Sequence, residues 1–284
     1  MGFKQSIYRL IMKTCGQHSK GIQIAQEYGL NSAELMDYVY SRNLTPQGDT
    51  FLGRWADSLF INFPTWISIR KRKQNLQNTM LLLLKGMLKE LSGKNIRVLD
   101  LASGYGHYIF SVLDKLGEDA SRIYVEMRDN NFECEKHINL LNKKGYNVKF
   151  VLSDIMDETS YDTENKFDLI ILAGFYESVD VHDIKTIEHI MGLVKSIMHD
   201  DSLFLFSYQA THVDSSLVNA LFRDSNNAPL FMGERNNTDM QYFIKRNELT
   251  FHGQISDDEN RYPLVLVSKQ GSDRVYIKNI FVNK

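Results

Sequence analysis

The chain predicts an α/β fold: a doubly wound, mainly parallel sheet of seven strands with an antiparallel edge, preceded by a helical N-terminal extension. Three observations predict it. From Ile96 onward, short apolar runs alternate with stretches of helical periodicity, the rhythm of a parallel sheet wrapped by helices. Before that point apolar residues recur at helical spacing only. Near the end, two strand-like runs at 249–255 and 262–268 follow one another without a long helix between them, so they pair as an antiparallel edge.

Residues 1–92 form the extension. Phe3, Ile7, Leu10 and Ile11 share one helical face, with Lys4, Arg9 and Lys13 elsewhere. Such a helix suits peripheral contact with a membrane interface and equally suits packing on its own domain, which is the commoner use. The opening "MGFKQS" also fits the loose M-G-x-x-x-[ST] pattern of myristoylation. In "NSAELMDYVYS", Asn31 is the candidate N-cap and Glu34 sits in the first turn. "TPQGD", 45–49, is a loop. Pro64 opens a long helix. Along it Leu76, Met80, Leu83, Leu84, Met87, Leu88 and Leu91 give one apolar face, and Gly93 is its stop.

Residues 93–284 form the sheet domain. "IRVLDL", 96–101, is a buried strand, and 108–116 a helix with Ile109, Val112, Leu113 and Leu116 on one face. A strand at 122–128 is followed by a helix from Asn131 to about Lys144, ended by Gly145. Strands are expected at 147–153, 167–173 and 202–208. Between the last two, a helix over 181–198 buries Ile184, Ile187, Met191, Val194 and Met198. Helices near 213–223 and 238–247 precede the closing strands, and 275–282 reads as a last strand.

Composition excludes several classes. A net charge of −2 gives no positive field for nucleic acid. The two cysteines, Cys15 and Cys134, have no metal spacing, which argues against zinc and for a reducing compartment. No apolar run is long enough to cross a bilayer, and no secretory h-region opens the chain, so a cytoplasmic location is expected.

The chemistry begins at "RVLDLASGYGHY", 97–108. Asp100 ends the first strand, and Gly104 and Gly106 follow at one-residue spacing. In an open α/β sheet, ligands bind beyond the carboxyl ends of the strands. Two glycines there allow a sharp turn and a ligand against backbone. The second strand ends in "EMRD" and the third at Asp154. An acid after strand two is placed for a ribose diol and one after strand three for a purine amine. Asp100 favours a cationic group and repels pyrophosphate. A cationic ligand that carries adenosine and no phosphate is S-adenosylmethionine. The rival is a nicotinamide dinucleotide, whose G-x-G-x-x-G/A fingerprint fails here because Ile109 stands at the last small position.

This stretch resembles class I S-adenosylmethionine-dependent methyltransferases, which have a Rossmann-like sheet. Their usual pattern is D-x-G-x-G-x-G; here Ala102 replaces the first glycine and His107 lies beyond the last. More narrowly, the chain is similar to a family described as putative methyltransferases and often fused behind an α/β-hydrolase domain. The likeness runs through "GIQIAQEYGLNSAELMDYVY", "SIRKRKQNLQ", "LDLASGYGHY", Arg128-Asp129, "AGFYESV" and "SYQATH". No G-x-S-x-G nucleophile elbow occurs in this chain. The resemblance implies a cofactor site of Asp100, Ala102, Gly104 and Gly106, with Asp129 on the ribose and Glu126 as the competing choice. It places Asp154 and Ile155 beside the adenine, and Ala173, Gly174 and Phe175 on the methionine side.

Methyl transfer from a sulfonium needs alignment of nucleophile, methyl and sulfur, and a base only where the nucleophile must lose a proton. Tyr176, Glu177 and His212 are the candidates for that role, and Tyr38 and Tyr40 are further residues within the extension. Each also has a plain structural use, as a packed aromatic or a helix cap. The acceptor is expected to be a small or lipid-related molecule. No D/N-P-P-Y motif follows strand four, which weighs against nucleobase amines. Arg70-Lys71-Arg72-Lys73 reads as a solvated helix face. The aromatics Tyr28, Tyr38, Tyr40, Trp55, Phe60, Phe63 and Trp66 make the extension a candidate substrate cap. A cofactor-binding scaffold paired with a separate α/β-hydrolase is the alternative to an enzyme.

Overall fold

The structure is a computed structural model and describes residues 16–41, 45–180, 182–211, 234–269 and 275–281. They fall into two compact units, one of residues 16–71, the other of residues 72–211 and 234–281. The first helix face, the myristoylation pattern, His212 and the helix expected at 213–223 lie outside the described residues.

The first unit is helical: α1 (Lys20–Tyr28), α2 (Ala33–Ser41), α3 (Phe51–Ile61) and the opening turns of α4 (Pro64–Glu90). Ser19 caps α1 by accepting from the Ile22 amide, and Thr50 caps α3 by accepting from Gly53. The cap of α2 is Ser32, whose hydroxyl accepts from the Leu35 amide at 3.2 Å. Asn31, expected in that role, stands one residue too early. The unit is pinned by Asp57, fully buried on α3. One carboxylate oxygen accepts from Ser19 Oγ (2.8 Å) and the Gly21 amide (2.7 Å). The other accepts from Tyr38 Oη (2.5 Å) and the Gln47 amide (2.7 Å). Tyr38, Phe60 and Trp66 are buried, whereas Tyr28 and Trp55 are exposed. Phe60 and Trp66 pack with ring centroids 5.5 Å apart.

The second unit is the sheet. Its strands are β1 (Ile96–Leu101), β2 (Ile123–Asp129), β3 (Val148–Leu152), β4 (Phe167–Leu172), β5 (Met198–Ser207), β6 (Leu249–Ile255) and β7 (Leu264–Lys269). They lie in the order β3-β2-β1-β4-β5-β7-β6. The first five pair in parallel; β7 is antiparallel to both β5 and β6. The central strands read as near-continuous apolar runs because both their faces are covered. The helices are α5 (His107–Leu116), α6 (Glu133–Leu141), α7 (Ile184–Ser196), α8 (Asn237–Arg246) and α9 (Val275–Phe281).

Along α4, Leu76, Met80, Leu83, Leu84, Met87 and Leu88 are all buried, as their spacing requires. Two readings are corrected in α7 and β5. Ile184, at the first position of α7 beside the cap Asp183, is 47% exposed, so the buried face of the helix begins with Ile187. Met198 is buried as the first residue of β5, not as the end of the helix. The third correction concerns 275–282: residues Val275–Phe281 are helical. Ile277 and Ile280, three apart, are buried together, which a helix permits and an alternating strand does not.

The chain winds from β1 outward through β2 to β3, then returns to the other side of β1 for β4 and β5. The crevice where winding reverses lies between the carboxyl ends of β1 and β4, where open α/β sheets hold their ligands.

Candidate active site at the carboxyl edge of the sheet

Three alternate residues after β1 share left-handed backbone: Ala102 (φ 49°), Gly104 (φ 53°) and Gly106 (φ 65°). Ala102 occupies a conformation that glycine adopts freely and other residues pay for, about 1–2 kcal/mol. At Gly106 a Cβ would lie 1.9 Å from the Met127 methyl, the far end of a flexible side chain that would have to shift, so the positive φ is the stronger reason for glycine. Gly106 also begins α5, with the Ile109 amide donating back to its carbonyl at 2.9 Å. Tyr105, between the two glycines, stacks on His137 of α6 with centroids 3.8 Å apart.

Asp129, the last residue of β2, holds this loop in place. Its Oδ2 accepts from the Gly104 amide (2.8 Å) and its Oδ1 from the Asn131 amide (3.0 Å). Burial raises its pKa, opposed by donors that include Asn131, Gly104 and the thiol of buried Cys134. Glu126 faces elsewhere. Its Oε1 takes the Arg128 Nε (2.7 Å) and Nη2 (2.6 Å). The competing ribose acceptor is therefore committed to an internal ion pair.

Asp100 is fully buried, and its two oxygens share one donor, Tyr108 Oη, at 2.8 and 2.7 Å. Burial pushes its pKa up to about 8; the Tyr108 bond pulls the other way and Asp129 adds to the rise. A neighbouring positive charge would stabilise its ionised form.

Beyond β3, Asp154 is exposed and its Oδ1 accepts from the Met156 amide at 2.9 Å. Ile155 packs partly on the sheet core. Beyond β4, the Gly174 amide donates to Ser207 Oγ at 3.1 Å. Phe175 is half-buried and Tyr176 fully buried. Burial raises the Tyr176 phenol well above its ordinary pKa and so keeps it neutral. Glu177 is buried with Oε1 bound to Arg72 Nη1 (2.7 Å) and to Ser207 Oγ (2.7 Å), leaving Oε2 without a hydrogen bond among the described residues.

The carboxyl edge thus brings together Asp100, Ala102, Gly104, Gly106, Asp129, Asp154, Ile155, Gly174, Phe175, Tyr176 and Glu177. Sequence reasoning missed Tyr108, Arg128 and Arg72. Arg72 is the buried member of the basic run, while Lys71 beside it is exposed. Four consecutive helical positions cover more than one face of a helix, so that run carried the signal that one cation turns inward. Arg235 was missed too. It is buried and donates to the carbonyls of Val179 (3.0 Å) and Asp180 (2.6 Å), and so ties the chain after β4 to the segment that leads into α8.

The donor and acceptor set fits a cationic adenosine ligand. Acids stand at the ends of β1 and β2 and just beyond β3, and the loop amides lie among them. The cations nearby, Arg72 and Arg128, are already bound to carboxylates.

Comparisons with known proteins bear on the fold and the family. The fold is shared with solved methyltransferases at low sequence identity. Magnesium protoporphyrin IX methyltransferase from Synechocystis PCC 6803, solved with bound SAH, matches with TM-score 0.52 at 12% identity, over 84% of this chain and 100% of that one. A possible exported protein from Bordetella parapertussis matches with TM-score 0.69 at 13% identity, over 92% of this chain and 86% of that one. The uncharacterized protein YnbC of Escherichia coli (strain K12) is 27% identical over 245 residues, 84% of this chain. The chain spans about 40% of that relative's length. The profile of the family described as "Putative methyltransferase" matches residues 2–259, and the chain belongs to that family.

Proposed function

We propose that the protein is an S-adenosylmethionine-dependent methyltransferase acting by in-line transfer on a small or lipid-related acceptor. The observation that carries the reading is the arrangement of strand-end acids, Asp100, Asp129 and Asp154, around a loop with three left-handed residues. When bound, the cofactor supplies the activated methyl group.

The chain's own residues do the rest. Asp129 stands at the ribose position, held by the Gly104 and Asn131 amides that also fix the loop. Asp154 and Ile155 flank the adenine, and Asp100 faces the cationic amino-acid end. Gly174 and Phe175 line the methionine side. Of the base candidates, Glu177 Oε2 and Tyr176 Oη are both buried without a hydrogen bond among the described residues, and only the first is a carboxylate oxygen. Tyr176 serves as a neutral hydroxyl. His212 lies outside the described residues. Residues 1–92 are the proposed substrate cap, and the cytoplasm is the proposed location. No described helix is long and apolar enough to cross a membrane.

Calorimetric titration with S-adenosylhomocysteine and NAD tests the cofactor. Binding of the first and not the second is expected; the reverse overturns the reading. Radiolabelled methyl transfer to fractionated small molecules and lipids then separates an enzyme from a cofactor-binding scaffold.

A further inference from the structure

We propose that Arg128 and Tyr161 are positioning residues that fix the adenine side of the site, so that base recognition after β3 is set from β2. This rests on the reading that the site takes S-adenosylmethionine.

Arg128 is only 8% exposed, and a guanidinium is rarely buried without work to do. Its fork reaches two ways. Nε and Nη2 bind Glu126 on its own strand, and Nη1 donates to the Ser160 carbonyl at 2.6 Å. A planar five-donor group can make both connections at once; the ammonium of lysine cannot. Tyr161, next in the chain, is buried, with its ring 5.9 Å beneath the Arg128 guanidinium. Its hydroxyl donates to the Ile155 carbonyl at 2.9 Å. Residues 155–161 are therefore closed on themselves by the tyrosine and fastened to β2 by the arginine. The near end is fastened too, since the Ser153 amide donates to the Asp129 carbonyl at 3.0 Å.

Asp154 lies between the two fastenings, and Ile155 is the residue whose carbonyl the tyrosine holds. Successive strand residues point to opposite faces, so adjacent Arg128 and Asp129 divide the task. Asp129 holds the glycine loop and faces the ribose, while Arg128 holds the loop that faces the base. Ribose and adenine contacts are thereby referred to one rigid strand, which keeps their separation constant. Glu126 has its role here as the counter-ion that allows Arg128 to be buried.

The test uses two ligands that differ at purine position 6, S-adenosylhomocysteine and S-inosylhomocysteine, titrated into the full-length protein. Tyr161→Phe removes only the hydroxyl, and Arg128→Lys keeps the charge but not the fork. Wild type is expected to prefer the adenosine ligand. Tyr161→Phe should raise its Kd about 3- to 10-fold and Arg128→Lys about 10- to 100-fold. The inosine ligand should change less, so the ratio of the two Kd values moves toward one. Folding is checked by urea unfolding, and Tyr161→Phe carries the test if Arg128→Lys does not fold. Folded variants that bind S-adenosylhomocysteine as wild type does, or that lose both ligands in equal proportion, would overturn the proposal. Wild type that binds neither ligand would instead overturn the cofactor reading beneath it.

Discussion

Asp57 in the helical unit and Asp100 at the end of β1 are both fully buried carboxylates, held in opposite ways. Asp57 receives four donors from three separate stretches of chain. Asp100 receives one tyrosine hydroxyl split between its oxygens. A buried charge surrounded by donors is a fastening: it organises the groups that point at it. A buried carboxyl with one donor and a raised pKa still has affinity to spend, and a ligand is the natural recipient. The same side chain at the same burial is thus saturated with donors in one unit and sparsely bonded in the other.

The largest effect should come from breaking the fastening. Asp57→Ala leaves two backbone amides and two hydroxyls buried without their acceptor, at about 1–3 kcal/mol each before relaxation. A net loss of about 3–5 kcal/mol is expected. Both tryptophans of the chain, Trp55 and Trp66, lie in this unit, so tryptophan fluorescence during urea unfolding reads it directly. A wild-type transition would show that the four bonds are dispensable.

On the ligand side, Gly106→Ala should weaken S-adenosylhomocysteine binding about 10- to 100-fold, because its φ is positive and its Cβ would displace the Met127 methyl. The tryptophan-detected transition should stay put. Titration checks the first part, and unchanged affinity would make the loop a simple turn. Asp129→Ala should cost about as much, and more than Glu126→Ala does. The reverse ranking would move the ribose to Glu126.

Asp100 sharpens the contrast through pH. Its folded-state pKa of about 8 lies above the ordinary 3.8. The stability its protonated form contributes is complete below pH 3.8 and is lost as pH rises to about 8. Binding of a cationic ligand favours the ionised form, so affinity should increase with pH up to about 8 and then level off, by at most about tenfold per pH unit. Asp100→Asn should flatten both profiles. Titrations in buffers of different ionisation enthalpy should show proton release near neutrality in wild type only. The smallest effect is expected at Ala102→Gly, which relieves a left-handed alanine at the cost of a looser unfolded chain and should change stability by less than about 1 kcal/mol.

What could be read from the sequence follows from how far apart the partners lie. The leucine face of α4, the alternating sheet units and the glycine loop are each written within a few consecutive turns or residues, and all are present. The acids at strand ends were legible because strand ends are. Val275–Phe281 was not. It is seven residues rich in β-favouring side chains, and its helical form goes with the burial of Ile277 and Ile280 on one face. Arg72 and Glu177 are 105 positions apart, so no local pattern joins them. Glu126 and Asp129 both carry suitable chemistry, and the sequence does not show that Glu126 is paired with Arg128 two residues on.

The thiol of Cys134 lies fully buried against Asp129, behind the residue that holds the glycine loop. No reagent can reach that sulfur until the floor of the crevice parts. Its alkylation rate is therefore a clock for local opening, set by the fraction of time the floor is open and by the intrinsic rate of an exposed thiol. A nucleoside ligand that closes over Asp129 must slow that clock in proportion to its occupancy. The cysteine built into this edge therefore records how much of the time that edge is closed.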